Sequence, residues 1–212
     1  MRSLPNILTG LRLVLALAVL LYLLAAAGSP PFGPAQAQHA LALRWWAFVA
    51  FAVAAITDFF DGWLARRFQV ESLLGAVLDP IADKVLVAAA VVGLVAAGDS
   101  VAALPGGLIL FREFAVSALR ETLAPKGLRL PVTRLAKWKT TLQLIALAAM
   151  IEAPSLAASL AYANESDRLA TFTTVTRLSL WLLWAATAVT VWTGVEYGLA
   201  ARRALGAQRP EA

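Results

Sequence analysis

Six apolar stretches, each long enough to cross a lipid bilayer, divide this chain of 212 residues. The hydrocarbon core of a bilayer is about 30 Å thick, so a spanning helix needs about 20 apolar residues. Because lipid offers no water to an open backbone, each stretch must form a helix. The sequence therefore predicts an all-α integral membrane protein, a bundle of six transmembrane helices in a single membrane-embedded domain covering 1–212. The predicted spans are 7–27, 40–60, 73–98, 102–122, 135–162 and 173–201.

The amino-acid composition excludes most other classes of protein. Hydrophobic residues make up 60% of the chain and charged residues 15%, against about 45–50% and about 25% in soluble domains. A soluble fold of this size could not bury so much apolar surface, and a disordered chain, a coiled coil or a nucleic-acid module is excluded as the main class. The chain has no cysteine and one histidine, His39, so a bound metal would have to rest on carboxylates.

Basic residues are concentrated in alternate connections between the spans. The second-to-third connection contains Arg66 and Arg67, whereas 28–38 and 99–103 contain no Lys or Arg. Because Lys and Arg are enriched in cytoplasmic loops, this alternation predicts that both termini are cytoplasmic. A cleaved signal peptide is the alternative for the first stretch, but Arg12 lies inside it and a five-span remainder would put the basic C-terminus outside.

Four aspartates lie in or at the ends of spans, where a charge costs about 2.5–3.5 kcal/mol to insert and marks a functional site by default. The two aspartates of each span are three or four residues apart and therefore share one helix face. The connection between the two spans is short, which predicts neighbouring antiparallel helices whose carboxylates converge. Lys84 and Arg66 could offset part of their repulsion, but a divalent ion, Mg²⁺ or Mn²⁺, suits an oxygen-only set better. A solvated rim with ordinary salt bridges is the alternative. The aspartates are Asp58 and Asp61 in the second span and Asp79 and Asp83 in the third.

The aspartates belong to a longer motif. It reads Asp58-x-x-Asp61-Gly62-x-x-Ala65-Arg66, then eight residues, then Gly75-x-x-x-Asp79-x-x-x-Asp83. This pattern resembles, without a departure, the signature of the CDP-alcohol phosphotransferase family, whose six-helix architecture agrees with the predicted spans. The resemblance implies a multi-pass enzyme of the cytoplasmic (inner) membrane, homodimeric, with its active site facing the cytoplasm. Such enzymes attack CDP-diacylglycerol with an alcohol hydroxyl and release CMP.

The resemblance also implies a role for each motif residue. Asp58, Asp61 and Asp79 would be ligands of two divalent ions, and Asp83 would be the general base and a further ligand. Two such ions would neutralise the diphosphate and orient the attacking and leaving oxygens in line. The residues implied in CDP-diacylglycerol binding are Gly62, Ala65, Arg66 and Gly75, with Asn6, Thr9 and Thr57 as further candidates. Ordinary interhelical hydrogen bonds are the alternative for the last three.

A cluster of cations favours a phosphorylated acceptor. Arg112 and Arg120 are eight residues apart, about two helical turns, and therefore share a helix face. Lys137 and Lys139 begin the fifth span. Such a cluster near a diphosphate site calls for an anion, and a phosphate monoester fits. Anchoring by the positive-inside rule, with charge balance from neighbouring glutamates, is the alternative.

Two segments narrow the choice of acceptor. Residues 111–121 and 137–141 resemble the branch of the family in which the acceptor is sn-glycerol 3-phosphate, a likeness that weakens after Glu152. Inositol phosphate and phosphatidylglycerol, the acceptors of sibling enzymes, are alternatives, because the choice of acceptor depends on the shape of the pocket. A divalent-cation transporter is the alternative from another class, although apolar outer halves such as 85–97 offer no polar path across the membrane.

Overall fold

The computed structural model describes residues 4–68, 73–127, 134–163 and 167–206, with side chains except at 4–6, 59–68, 73–77, 79–80, 126, 134, 136 and 137. All regular structure in these ranges is helical. The six long helices are α1 (Leu4–Ala26), α2 (Ala37–Phe68), α3 (Leu73–Ala96), α4 (Ala103–Leu123), α5 (Arg134–Ala163) and α6 (Arg168–Gly206). Two 3₁₀ turns, Ser100–Ala102 and Ala124–Lys126, flank α4.

Each predicted span coincides with one long helix, although several helices extend beyond the predicted bounds. The largest difference is in α2, which begins before residue 40 and ends well after residue 60. Hydropathy marks the part of a helix that lipid can cover, whereas backbone hydrogen bonds continue through polar residues. Five helices of the described chain are long and apolar enough to cross a membrane. The protein is therefore an integral membrane protein, while the sixth span, in α3, and the cytoplasmic termini stay predictions.

The outward faces of the helices are apolar. Val14, Leu17 and Leu21 form an exposed stripe on α1, and Trp181 and Trp192 are exposed on α6. Contiguous exposed apolar surface of this kind is rare on proteins surrounded by water. These faces are suited to contact with lipid.

Helix α1 packs against both α2 and α3, and these two share a much smaller contact with each other. The close approach of α1 and α3 depends on Gly93, where an added Cβ would lie 2.6 Å from Cδ1 of Leu23. Small residues allow helices to approach closely in membranes. The predicted neighbours α2 and α3 do contact each other, and α1 supplies the side chain that joins them.

The remaining helices complete the bundle: α5 packs against α2 and α6, and α4 packs against α6. Most of the buried polar side chains lie towards one end of the bundle, where α1, α3 and α5 begin and α2, α4 and α6 end. At the opposite end, Arg44 near the start of α2 pairs with Asp99 after α3, at 2.8 Å between Nη2 and Oδ2. The polar end therefore holds the candidate site.

Candidate active site

Arg12 of α1 joins the two acidic helices. Its Nη2 lies 2.9 Å from Oδ1 of Asp58 on α2, and its Nη1 donates to Oδ1 of Asp83 on α3 at 2.8 Å. The side chain of Arg12 is 1% exposed. A guanidinium presents several donors in a planar fork, so a single arginine can hold two carboxylates.

Sequence reasoning named Lys84 and Arg66 as partial counter-charges and missed Arg12. The position of Arg12 inside an apolar stretch indicated such a role, because a charge there is energetically costly unless it is paired. Thr9, also buried, lies one helical turn before Arg12 on the same helix. The first helix therefore presents a polar face towards the aspartates.

Two of the four predicted metal ligands are brought together. The side chains of Asp58 and Asp83 are 37% and 51% exposed, although both are bonded to Arg12. The side chains of Asp61 and Asp79 lie outside those described, and the described residues alone contain no group of three or more metal-binding side chains. The carboxylate oxygens of Asp58 and Asp83 fit a hard divalent cation, which prefers oxygen ligands, and their exposure leaves them accessible to one.

A cavity of about 200 Å³ connects the acidic residues with the predicted acceptor region. Asp58, Asp83 and Lys84 contribute to its wall from α2 and α3, and Arg120 contributes from α4. Its other polar lining residues are Glu113, Ser117, Thr140 and Gln143. Carboxylates and a guanidinium thus line one small volume at the polar end of the bundle.

Glu113 of α4 accepts hydrogen bonds from two side chains of α5 beside the cavity. Its Oε1 accepts hydrogen bonds from Nζ of Lys139 and from Nε2 of Gln143, the latter at 3.3 Å. Gln143 also donates to Oγ1 of Thr190 on α6 at 2.9 Å. Because Lys139 is buried, the carboxylate of Glu113 offsets much of the cost of its charge.

The two arginines of α4 share a face, as their spacing predicts, and that face contacts α6. Nη2 of Arg120 donates to the Tyr197 hydroxyl at 2.7 Å, and Nη2 of Arg112 donates to Oγ1 of Thr193 at 3.2 Å. Arg112 is buried and lies behind the cavity rather than among the residues that line it. Because the family resemblance weakens after Glu152, sequence reasoning carried no site residue over beyond that point and missed both α6 partners.

The candidate nucleotide contacts are only partly described. Thr9 is buried in α1. Thr57 donates to the carbonyl of Val53 in its own helix at 2.6 Å, a bond typical of threonine within a helix. Outside the described side chains lie Asn6, Gly62, Ala65, Arg66 and Gly75, and likewise Lys137 of the acceptor cluster.

Spanning-length helices around a cavity lined by acids and a guanidinium define an all-helical membrane protein with an internal site for charged groups. The family model of CDP-alcohol phosphatidyltransferases matches residues 2–192. The chain is 39% identical over 218 residues to the CDP-diacylglycerol–glycerol-3-phosphate 3-phosphatidyltransferase of Cereibacter sphaeroides, an alignment covering 92% of this chain and 93% of that protein. It therefore belongs to the CDP-alcohol phosphatidyltransferase family, whose members are transferase enzymes.

Further relatives carry the same name. The protein from Salmonella choleraesuis is 36% identical, with 94% of this chain and 95% of that protein covered. The protein from Rickettsia typhi is 41% identical, with 71% and 77% covered. These matches confirm the family expected from the aspartate motif.

Proposed function

We propose that this protein transfers the phosphatidyl group of CDP-diacylglycerol to sn-glycerol 3-phosphate, giving phosphatidylglycerophosphate and CMP. Family membership and the names of the relatives support this reaction. The observation that carries it is the shared cavity, which Asp58 and Asp83 line together with Arg120. Such a cavity suits a substrate pair with a diphosphate for a metal site and a phosphate monoester for a guanidinium.

The proposed metal site consists of Asp58, Asp61, Asp79 and Asp83, which would hold two divalent ions, Mg²⁺ or Mn²⁺. When bound, such ions neutralise the diphosphate and stabilise charge on the attacking and leaving oxygens. The exposure of the Asp58 and Asp83 carboxylates supports this assignment. Arg12 holds the carboxylates of Asp58 and Asp83 near each other and reduces their mutual repulsion.

Asp83 is the proposed general base. It takes the proton of the acceptor hydroxyl as the hydroxyl oxygen bonds to the phosphorus of the phosphatidyl group. The bond between that phosphorus and the oxygen of CMP breaks, and CMP leaves with the electron pair. The position of Asp83 on the cavity wall, joined to α1 through Arg12, supports this role.

The acceptor phosphate is assigned to the cation cluster of Arg112, Arg120, Lys137 and Lys139. Arg120 is the best supported of these, because it lines the cavity and no carboxylate partner is found for it within the described chain. Lys139 is held by Glu113 at the same wall. The CDP group is assigned to the motif residues of α2 and α3, with Asn6, Thr9 and Thr57.

The protein would span the cytoplasmic (inner) membrane six times, with both termini and the active site on the cytoplasmic side, and would form a homodimer. The collection of buried polar side chains at one end of the bundle supports a site that opens to one side only. The alternation of basic connections supports the orientation.

The test is CMP release by the purified protein in detergent with CDP-diacylglycerol, Mg²⁺ and one acceptor at a time. The acceptors are glycerol 3-phosphate, inositol 1-phosphate, inositol, serine and phosphatidylglycerol, with Asp83→Asn as the blank. Release with glycerol 3-phosphate alone is expected. Release with another acceptor instead would retain the family chemistry and refute the acceptor assignment. No release with any acceptor would refute the assigned reaction and direct attention to metal uptake into vesicles.

A further inference from the structure

Tyr197 of α6 lies against both arginines of α4. The Cζ atoms of Arg120 and Arg112 are 4.8 Å and 5.5 Å from the centre of its ring. The face of an aromatic ring attracts cations, most strongly where water is excluded, and Tyr197 is 3% exposed. One buried ring therefore attracts two guanidinium groups and offsets part of their mutual repulsion.

The hydroxyl of Tyr197 adds a directional constraint. It accepts a hydrogen bond from Nη2 of Arg120 at 2.7 Å. Arg120 also lines the cavity that contains Asp58 and Asp83, so the contact orients a residue of the candidate site itself. A long arginine side chain loses considerable conformational freedom when it is fixed, and a preformed contact accounts for part of that loss before any anion binds.

The preceding turn of α6 continues the same surface. Thr193 accepts from Nη2 of Arg112 at 3.2 Å and donates to the carbonyl of Thr190 at 2.9 Å. At Gly194, an added Cβ would lie 2.8 Å from Cγ of Arg112. Residues 193, 194 and 197 thus form one face that is shaped around the α4 arginines.

The charge on this side of the cavity is incompletely balanced. Glu113 is shared between Lys139 and Arg112, and within the described chain Arg120 pairs with no carboxylate. The buried Nε of Arg112 likewise has no hydrogen-bond partner there. An arrangement that orients cations without neutralising them is suited to bind an anion.

We propose that Tyr197 is a positioning residue that sets the affinity for the phosphorylated acceptor by holding Arg120 at the cavity and Arg112 directly behind it. This inference rests on the proposed function, since it assigns these arginines to the acceptor phosphate. Tyr197 itself does not line the cavity. Its effect is therefore transmitted through the two guanidinium groups.

The test compares Tyr197→Phe, which removes the hydroxyl and keeps the ring, with Tyr197→Leu, which removes both. Tyr197→Phe should raise the KM for glycerol 3-phosphate about tenfold, as expected for a lost hydrogen bond to a charged group. Tyr197→Leu should raise it further, because the ring contact is lost as well. The KM for CDP-diacylglycerol should change less than about twofold in Tyr197→Phe.

Thr187→Val is the matched control. Thr187 is a buried α6 residue whose hydroxyl contacts the carbonyl of Pro105 on α4 at 3.3 Å, away from the arginines. The Thr187→Val variant should reproduce any general effect of a loosened α4–α6 contact, without the selective change in the KM for the acceptor. Thermal unfolding in detergent shows whether each variant is folded, and Tyr197→Phe provides the test if Tyr197→Leu is not.

Two outcomes would overturn the inference, and they differ from failure of the proposed function. An active wild-type protein whose acceptor KM is unchanged in Tyr197→Phe would refute the positioning role alone. Equal increases of both KM values, matching those of Thr187→Val, would show that Tyr197 only supports the fold. A wild-type protein that releases no CMP with glycerol 3-phosphate would refute both proposals.

Discussion

Arg12 and Asp83, 71 positions apart in the chain, are joined by a hydrogen bond of 2.8 Å between Nη1 and Oδ1. The same guanidinium reaches Asp58, so α1 links the two helices that carry the aspartate motif. A buried arginine between two partly exposed carboxylates lowers their repulsion and fixes their separation. This contact positions the proposed base and one proposed metal ligand together.

Replacing Arg12 should therefore destabilise the polar end of the bundle. Arg12→Leu should lower the free energy of unfolding by about 1–3 kcal/mol, because two partly solvated carboxylates lose the positive charge of Arg12. Mg²⁺ should reduce the loss, because an ion bound at Asp58 and Asp83 would replace part of the lost positive charge. Thermal unfolding in detergent, with and without Mg²⁺, measures both effects. The exposed Arg177→Leu is the control, and an equal loss in that variant would contradict the assigned role.

Asp83→Asn should abolish turnover and leave the fold intact. The amide can still accept a hydrogen bond from Arg12 but cannot take a proton from the acceptor hydroxyl. Loss of a general base lowers the rate by about 10²–10⁴-fold, and a weakened metal site would lower it further. CMP release measures the rate. Asp99→Asn is the matched control, since Asp99 also pairs with a buried arginine at 2.8 Å but lies at the other end of the bundle. Normal activity in Asp83→Asn would exclude Asp83 as the general base.

Removal of divalent ions should stop the reaction reversibly. EDTA should abolish CMP release, and Mg²⁺ or Mn²⁺ should restore it, because the four proposed metal ligands and the diphosphate are all negatively charged and require positive charge between them. Titrating the ion back into wild-type protein and into Asp58→Asn should show a higher requirement in the variant. Activity that persists in excess chelator would refute the metal-dependent mechanism.

Arg120 and Arg112 should affect the acceptor more than the lipid substrate. Arg120→Ala and Arg112→Ala should each raise the KM for glycerol 3-phosphate by about tenfold or more, because each removes a charge assigned to its phosphate. The effect of Arg120→Ala should be larger, since Arg120 lines the cavity and Arg112 lies behind it. Steady-state kinetics with each substrate varied separately measures the difference. An equal rise for CDP-diacylglycerol in Arg112→Ala would indicate a structural role for that residue.

The orientation in the membrane can be tested cleanly because the chain contains no cysteine. A cysteine at exposed Ala35, in the α1–α2 connection, should react with a membrane-impermeant maleimide. The labelling uses cells whose outer layers have been removed and whose cytoplasmic membrane is intact. A cysteine at exposed Ala124, after α4, should react only after the membrane is opened. The reverse labelling pattern would contradict cytoplasmic termini.

Much of the architecture could be predicted because it depends on local properties of the chain. Hydropathy located six segments that each correspond to one long helix, and helical periodicity put Arg112 and Arg120 on one face, where both contact Tyr197. The spacing of the aspartates and the surrounding glycines identified the family, which the comparisons confirmed. These inferences need only the rise and turn of a helix and the cost of charge in lipid.

Contacts between distant segments required the tertiary structure. The sequence by itself determined that this is a helical membrane protein of the CDP-alcohol phosphatidyltransferase family with an acidic motif and a basic cluster. Only the packing of α1 against α2 and α3 made Arg12 the partner of Asp58 and Asp83, and only the packing of α6 against α4 brought Tyr197 to the arginines. Periodicity relates residues within one helix, whereas the order in which helices pack depends on side-chain fit between them, as at Gly93 and Leu23.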